Sequence, residues 1–341
     1  MKEIRVTMLG LGRVGRDVVR LVSSRLGFRV VAAHSRNPSF HGKDLGVHAG
    51  TNPLGIEITG DQHQALATAS DIAVIATTSF LRDVAKDIRA AAEAGLNVIC
   101  TAEEMLFPWV VDRSLAESLD KLARHHDVTI LGAGANPGFI FDSFVLTATG
   151  AVWHVDFIRG RRVVDCSHFS ATILRRLGFG YTEDEFASGA SAGTIYGHIG
   201  FPQSISLLAA KLDVEIDEIE KHLEPILAEK PYVMGALEIA PGKTVGFIQR
   251  VIGSVRGKPW YQAEFIGHAN PSAAGLPVVD SFDIQGYPNL HFSVEPGFNP
   301  HFTSAAVVAN SLRRVFESKP GLVTIADLPP AFPSRGTGTF A

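Results

Sequence analysis

The 341 residues, 46% hydrophobic and 19% charged, are enough for a globular protein of two domains. A formal net charge of −4 with interleaved signs excludes a basic stripe for nucleic acid and an acidic tail. No apolar run approaches the length of a membrane span, and Met1-Lys2-Glu3-Ile4 runs straight into a core strand, so neither a membrane segment nor a leader is expected.

Ile4 to Leu9 is a short apolar run that reads as a buried parallel strand. Gly10-Leu11-Gly12-Arg13-Val14-Gly15 follows, then a helical pattern with Val14, Val18, Val19 and Val22 mostly on one face. Gly27 closes it, and Phe28 to Ala33 is a second strand. Strand, Gly-x-Gly-x-x-Gly turn, helix and strand in that order predict a dinucleotide site. Gly10 permits the turn, Gly12 lets a pyrophosphate approach the backbone, Gly15 lets helix and strand pack closely, and the helix N-terminus faces the phosphates. The second strand ends in His34-Ser35-Arg36-Asn37, with no acid before Asp44 to hold a ribose 2′-OH. Ser35 and Asn37 offer hydrogen bonds and Arg36 suits a 2′-phosphate, so NADP(H) is expected over NAD(H), without excluding use of both.

A glycine-containing loop with a short helix comes next. Further strands are read at 56–59, 71–77, 97–101 and 127–131, with helices at 65–69, 81–94 and 112–126. This alternation predicts an α/β fold, an N-terminal Rossmann-type doubly wound parallel sheet. The loop Gly132–Gly138 ends that domain, taken as residues 1–138. From Ala151 the pattern becomes longer strands, at 152–158, 161–166, 244–255 and 260–267, the last two flanking a hairpin at Arg256-Gly257-Lys258-Pro259. Helices are expected at 193–211 and 216–228, and more strands at 280–284 and 289–295. Residues 139–302 then form a second α+β domain with a largely antiparallel sheet. An amphipathic helix, 303–318, is expected to return to the first domain, and the tail 329–341 to be loose. Cys100 and Cys166 lie in apolar runs and read as core residues in a reducing cytoplasm.

Ligands bind beyond the carboxyl ends of such strands. Thr77 and Thr78 follow one strand, Glu103 and Glu104 the next, Ala135 and Asn136 the one after. Adjacent residues cannot both point inward on a regular element. One glutamate therefore serves a helix N-terminus or solvent, and the other enters the cleft, where desolvation would raise its pKa towards neutrality. Sequence alone does not choose between them. Asn136 is suited to a nicotinamide carboxamide, and Arg159, Arg161 and Arg162 cluster at a turn between two expected strands where an anionic substrate could be met. His168, His198 and His268 are candidate proton carriers. Thirteen histidines raise the question of a metal, but no His-x-x-x-His or Cys-x-x-Cys spacing occurs. Gly189–Gly193 lacks the preceding strand of a nucleophile elbow, and Gly242-Lys243-Thr244 precedes a strand where a phosphate loop would precede a helix.

The glycine-rich start, Lys43-Asp44-Leu45-Gly46, Thr101-Ala102-Glu103-Glu104, Asn136-Pro137-Gly138-Phe139, Leu177-Gly178-Phe179-Gly180, the run Gly197 to Ser204 and Lys319-Pro320-Gly321-Leu322 occur together. In this the chain resembles the 2,4-diaminopentanoate dehydrogenase and native amine dehydrogenase family, whose first domain is similar to that of dihydrodipicolinate reductase. The reductase's own His-His pair with its Lys and Pro-Ser-Gly continuation is lacking after His125-His126. The resemblance implies an NAD(P)-dependent homodimer, built through the second domain, that interconverts an amine with a small ketone or aldehyde and ammonia. It implies a catalytic glutamate within Thr101–Glu104, aligned with Glu103, with Glu104 as rival. Ala135, Phe139, Ile140, Phe141, His168, Phe179 and His198 are the expected pocket walls. Another NADP-linked reductase that does not use ammonia, or a non-catalytic NADP(H) sensor, stays open.

Overall fold

The computed structural model describes residues 2–234, 237–333 and 336. Its elements up to the end of the parallel strands are β1 (Ile4–Leu9), α1 (Arg13–Ser23), β2 (Phe28–His34), α2 (Leu45–Ala49), β3 (Ile58–Thr59), α3 (Gln62–Ala67) and β4 (Ile72–Ile75). Then come α4 (Leu81–Glu93), β5 (Asn97–Cys100), α5 (Arg113–His125) and β6 (Thr129–Gly132). The middle of the chain holds α6 (Ser143–Thr149), β7 (Val155–Asp165), α7 (Ala171–Arg176), α8 (Glu183–Ser191), α9 (Phe201–Lys211) and β8 (Glu218–Leu227). It continues through β9 (Tyr232–Met234), β10 (Leu237–Ile239), β11 (Thr244–Val255), β12 (Lys258–His268), β13 (Asp280–Gly286) and β14 (Leu290–Val294). The chain closes with α10 (Pro300–Phe316) and β15 (Gly321–Val323).

Two compact units result, one of residues 1–143 with 299–341 and one of 144–298. The cut falls after Ser143 instead of Gly138: the Phe139 and Ile140 N–H groups both donate to the Ala135 carbonyl, at 3.2 and 2.8 Å, which ties the segment to the loop after β6. The Gly138 N–H donates to Asp142 at 2.8 Å and the Ser143 hydroxyl donates to the Gly138 carbonyl at 2.8 Å.

The first unit is a seven-stranded sheet in the order β15-β6-β5-β4-β1-β2-β3, all neighbours parallel. Four-residue strands such as Ile72–Ile75 are buried throughout, so both faces must be covered. On one face Val18, Val19 and Val22 of α1 and Val307, Val308, Leu312 and Val315 of α10 pack against Ile4, Val6 and Met8. On the other, Leu81, Val84 and Ile88 of α4 and Ala116 and Leu119 of α5 cover Leu9, Ile75 and Val98. Strand order reverses between β1 and β4, the switch point where such sheets bind ligands.

The second unit has a six-stranded sheet, β14-β13-β7-β12-β11-β8, antiparallel except for β7 beside β12. The hairpin turn is Arg256-Gly257, both at positive φ (51° and 71°), the two-residue turn whose twist suits antiparallel strands. A core of Phe179, Phe186, Phe247, Leu174 and Val245 lies under the helices.

Four expectations need correction. The helix expected at 193–211 begins only at Phe201, as α9, and residues 193–200 are not helical. The stretch 216–228 holds edge strand β8 (Glu218–Leu227), not a helix; Ile216, Ile219, Leu223 and Ile226 have helical spacing, but Pro225 breaks a helix interior and is tolerated on an edge strand. Residues 155–165 are one continuous strand, with no turn at the arginines. The tail is tied at its start, since Arg314 Nε donates to the carbonyls of Pro329 and Pro330 (3.2 and 2.7 Å) and its guanidinium lies 4.0 Å from the Phe332 ring. Residues 334, 335 and 337–341 of the expected tail lie outside the described residues.

Candidate active site

The switch point sets the Gly10–Gly15 turn beside the loop that follows β4. Gly10 has φ +96°, and a Cβ there would collide with the Ala76 carbonyl; a Cβ on Gly15 would collide with the Gly10 carbonyl. A Cβ on Gly12 would meet nothing within 4 Å. Two glycines thus allow close packing, and the third leaves open the space a phosphate needs at the start of α1. Leu11 is buried with its carbonyl accepting from His48 Nε2 at 3.1 Å, Arg13 is exposed, and Val14 packs on the core. At the same edge of the sheet, Thr77 Oγ1 and Asn136 Oδ1 are buried without a hydrogen-bond partner among the described residues. Thr78 Oγ1 accepts from the Phe80 N–H at 3.4 Å. Orphaned polar atoms are rare in a finished core, and beside a glycine-lined turn they fit a polar dinucleotide.

At the end of β2, Ser35 Oγ accepts from the Asn37 N–H at 3.1 Å and Asn37 Oδ1 accepts from the Ser39 N–H at 3.0 Å. Arg36 is half exposed, and its Nη2 donates to both carboxylate oxygens of Asp87, at 2.9 and 2.6 Å. The sequence reading missed Asp87. The available signal was its phase on α4, three residues after Val84 and one before Ile88, on the face that is otherwise apolar.

The two glutamates separate clearly. A 3-10 turn, Glu103–Leu106, follows β5, and it packs so tightly on Gly132 that a Cβ there would strike the Met105 carbonyl. Glu104 accepts the Leu81 N–H at 2.7 Å, closing the N-terminus of α4, whose partial positive charge favours a carboxylate. Glu103 has no such partner in a helix end. Burial raises its pKa above the ordinary carboxylate value, opposed by a hydrogen bond from Ser79 and reinforced by the neighbouring charge of Glu104. Ser79 lies in the polar loop that the sequence places after β4, and no local pattern ties it to Glu103.

Among the expected pocket walls, Ile140 and Phe141 have no exposed surface and Ala135 almost none, its N–H donating to Ser304 Oγ at 3.2 Å. Phe179 is enclosed in the second unit's core. These four are packing residues in this structure, because an accessible wall needs accessible surface. Phe139 is partly buried and His168 exposed.

The proton carriers also need correction. His198 is pushed down to about 3, by burial first and by Arg162 second, so its imidazole is neutral; its backbone is held by the Gln249 side chain at 2.6 and 2.9 Å. His268 is buried and lowered by desolvation, with Nδ1 accepting from the Asn270 N–H. The arginines alternate along β7. Arg161 pairs with Glu264 at 3.0 Å, while Arg162 is buried, paired with Asp280 at 2.6 Å and donating to the Phe298 carbonyl at 2.7 Å. Arg159 lies 5.5 Å from the Phe157 ring. Burial lifts the Cys100 thiol to about 12. Among the described residues no cluster of His, Cys, Asp and Glu could hold a metal, and no helix is long and apolar enough to cross a membrane.

Comparison with known proteins narrows the chemistry. Residues 4–102 match the N-terminus of dihydrodipicolinate reductase, and residues 139–335 match the 2,4-diaminopentanoate dehydrogenase C-terminal domain. The 2,4-diaminopentanoate dehydrogenase of Acetoanaerobium sticklandii is 30% identical over 96% of this chain and 94% of its own. The amine dehydrogenase of Mycobacterium smegmatis superposes with a TM-score of 0.86 at 26% identity, covering 98% of this chain and 99% of that one. Biliverdin reductase of Synechocystis, at 12% identity and TM-score 0.52 over 86% of this chain and 80% of that one, shares the fold alone. The parallel sheet is an NAD(P)-binding Rossmann fold, the activity is that of an oxidoreductase acting on CH–NH2 groups, and the chain belongs to the 2,4-diaminopentanoate dehydrogenase family.

Proposed function

We propose that this amine dehydrogenase prefers NADP(H) and catalyses the reductive amination of a small ketone or aldehyde with ammonia, together with the reverse oxidative deamination. The observation that carries the catalytic part is the division of labour between adjacent glutamates. Glu104 is spent on the end of α4, and Glu103 is left at the carboxyl edge of the sheet with a raised pKa. A carboxyl group in that condition holds its proton to higher pH than an exposed one, as a group that both takes and returns a proton requires.

Gly10, Gly12 and Gly15 with the N-terminus of α1 would hold the pyrophosphate, Thr77 and Asn136 the nicotinamide end, and Ser35, Arg36 and Asn37 the 2′-phosphate. When bound, the dinucleotide supplies a hydride for amination and accepts one for deamination. Glu103 takes a proton from ammonium or from the carbinolamine, returns it to the departing water, and as a carboxylate favours the cationic iminium over its neutral precursors. Ser79 limits how far the Glu103 pKa rises. His198, neutral throughout, contributes shape and not protons. We also infer a homodimer built through the second unit, as in the family the sequence resembles; light scattering reading a single chain would refute that part.

Glu103→Gln tests the assignment. Turnover is expected to fall by about 10²–10⁴-fold with dinucleotide affinity retained. A near-normal rate in the Glu103→Gln enzyme, beside a Glu104→Gln enzyme that loses turnover while still folded, would overturn it. Oxidation of NADPH by a ketone panel that proceeds equally without ammonium would move the chain to the carbonyl reductases.

A further inference from the structure

Asp87 sits near the middle of α4 with 2% of its surface exposed, in a helix face otherwise made of Leu81, Val84, Ala85, Ile88, Ala91 and Ala92. A carboxylate is costly there unless it is paired. Both of its side-chain hydrogen bonds come from one atom, Arg36 Nη2, at 2.9 and 2.6 Å. Arg36 stands two residues beyond the end of β2, at the position from which Rossmann folds read the adenosine ribose, and about half its side chain is exposed. A guanidinium has five N–H donors. Asp87 engages those of Nη2, and the donors on Nε and Nη1 have no protein partner among the described residues.

We propose that Asp87 is a positioning residue for the 2′-phosphate of NADP(H). It anchors one nitrogen of Arg36 to the sheet-facing side of α4 and holds the remaining donors where the phosphate arrives. The inference rests on the reading of Arg36 as the 2′-phosphate ligand. Its physical content is preorganisation. A free arginine loses rotamer freedom when it meets a phosphate, and an arginine already fixed by a buried carboxylate has lost that freedom beforehand. Asp87 also opposes the charge of Arg36, which weakens its pull on any anion. The proposal is that positioning outweighs this, because the anchor is buried and the phosphate-facing donors lie in water, where Coulomb terms are screened.

The test is calorimetric titration of the full-length protein with NADP+ and with NAD+, for wild type, Asp87→Ala, Asp87→Asn, Arg36→Met and the double variant Arg36→Met/Asp87→Ala, with circular dichroism confirming the fold of each. Asp87→Ala is expected to weaken NADP+ about three- to tenfold and to leave NAD+ within about twofold. Asp87→Asn, which keeps one acceptor oxygen, should fall between. In the Arg36→Met background the Asp87 change should add nothing to the NADP+/NAD+ ratio. Unchanged or tighter NADP+ binding in Asp87→Ala, or a full additional effect in the double variant, overturns the role of Asp87. If Arg36→Met itself leaves the ratio unchanged, the reading of Arg36 fails and the proposal falls with it. Loss of selectivity in Arg36→Met with none in Asp87→Ala keeps the first and rejects the second.

Discussion

Two arginine–aspartate pairs, each with a 2.6 Å contact, do opposite things. Arg162 and Asp280 of the second unit are exposed by only 2% and 1%. Both also hold the same neighbour: Arg162 donates to the Phe298 carbonyl and Asp280 Oδ2 accepts the Phe298 N–H at 2.7 Å, while Asp280 Oδ1 is buried with no hydrogen-bond partner among the described residues. Arg36 and Asp87 of the first unit are exposed by 51% and 2%. There only the acid is withdrawn from water, and the cation keeps donors free. A pair buried on both sides secures a fold, whereas one buried on the acid side alone leaves a cation available to a ligand. That answers a question the sequence raised. Arg162 is committed to Asp280 and Phe298, so it is no receptor for a substrate carboxylate.

The comparison breaks most readily at Asp280. Asp280→Ala strands a buried guanidinium and should cost about 3–5 kcal/mol in denaturant unfolding, while Arg162→Met with Asp280→Leu together should cost less than either change alone. The pair in the first unit predicts asymmetry. Arg36→Met strands a buried carboxylate and should cost about 1–3 kcal/mol. Asp87→Ala releases Arg36 to water and should cost no more than about 1 kcal/mol. Equal costs for Asp87→Ala and Asp280→Ala would erase the distinction.

Glu103 adds a smaller effect of known sign. Its folded pKa is raised by burial, so its contribution to stability is complete below the unfolded carboxylate range and is lost as pH rises through the folded value. The melting temperature of Glu103→Gln should therefore gain on wild type across that window and then level off. A gain confined to acid pH would contradict the burial argument. The smallest expected effect is that of Ser79→Ala. Loss of the bond that lowers Glu103 should move the limb of the kcat/KM pH profile governed by this glutamate to higher pH, with less than about a tenfold rate change at neutral pH.

The Rossmann half was legible because its signals are local. Each buried parallel strand is a short apolar run, and the three glycines are spaced by the turn they make. β8 was illegible because its identity is settled by a long ladder with β11, and the spacing of its apolar residues mimics a helix. The arginine cluster on β7 looked like a turn because Gly160 and its charged neighbours carry turn chemistry, which pairing on both sides with β12 and β13 overrides. At the site, the glutamate pair and the loops after β4, β5 and β6 could be named from sequence. What separates Glu103 from Glu104 is an N–H donated by Leu81, 23 residues earlier in the chain, and no local pattern carries that.

The interruption of the first unit by residues 144–298 sets an order of events during synthesis. Ile4, Val6, Val18 and Val22 leave the ribosome early, but the side chains that cover them, Val307, Val308, Leu312 and Val315, are made only after the whole second unit. The N-terminal half of this protein is thus the last to be completed. A nascent chain halted before Asn299 exposes a broad apolar sheet face, the kind of surface that chaperones shield and that aggregation exploits.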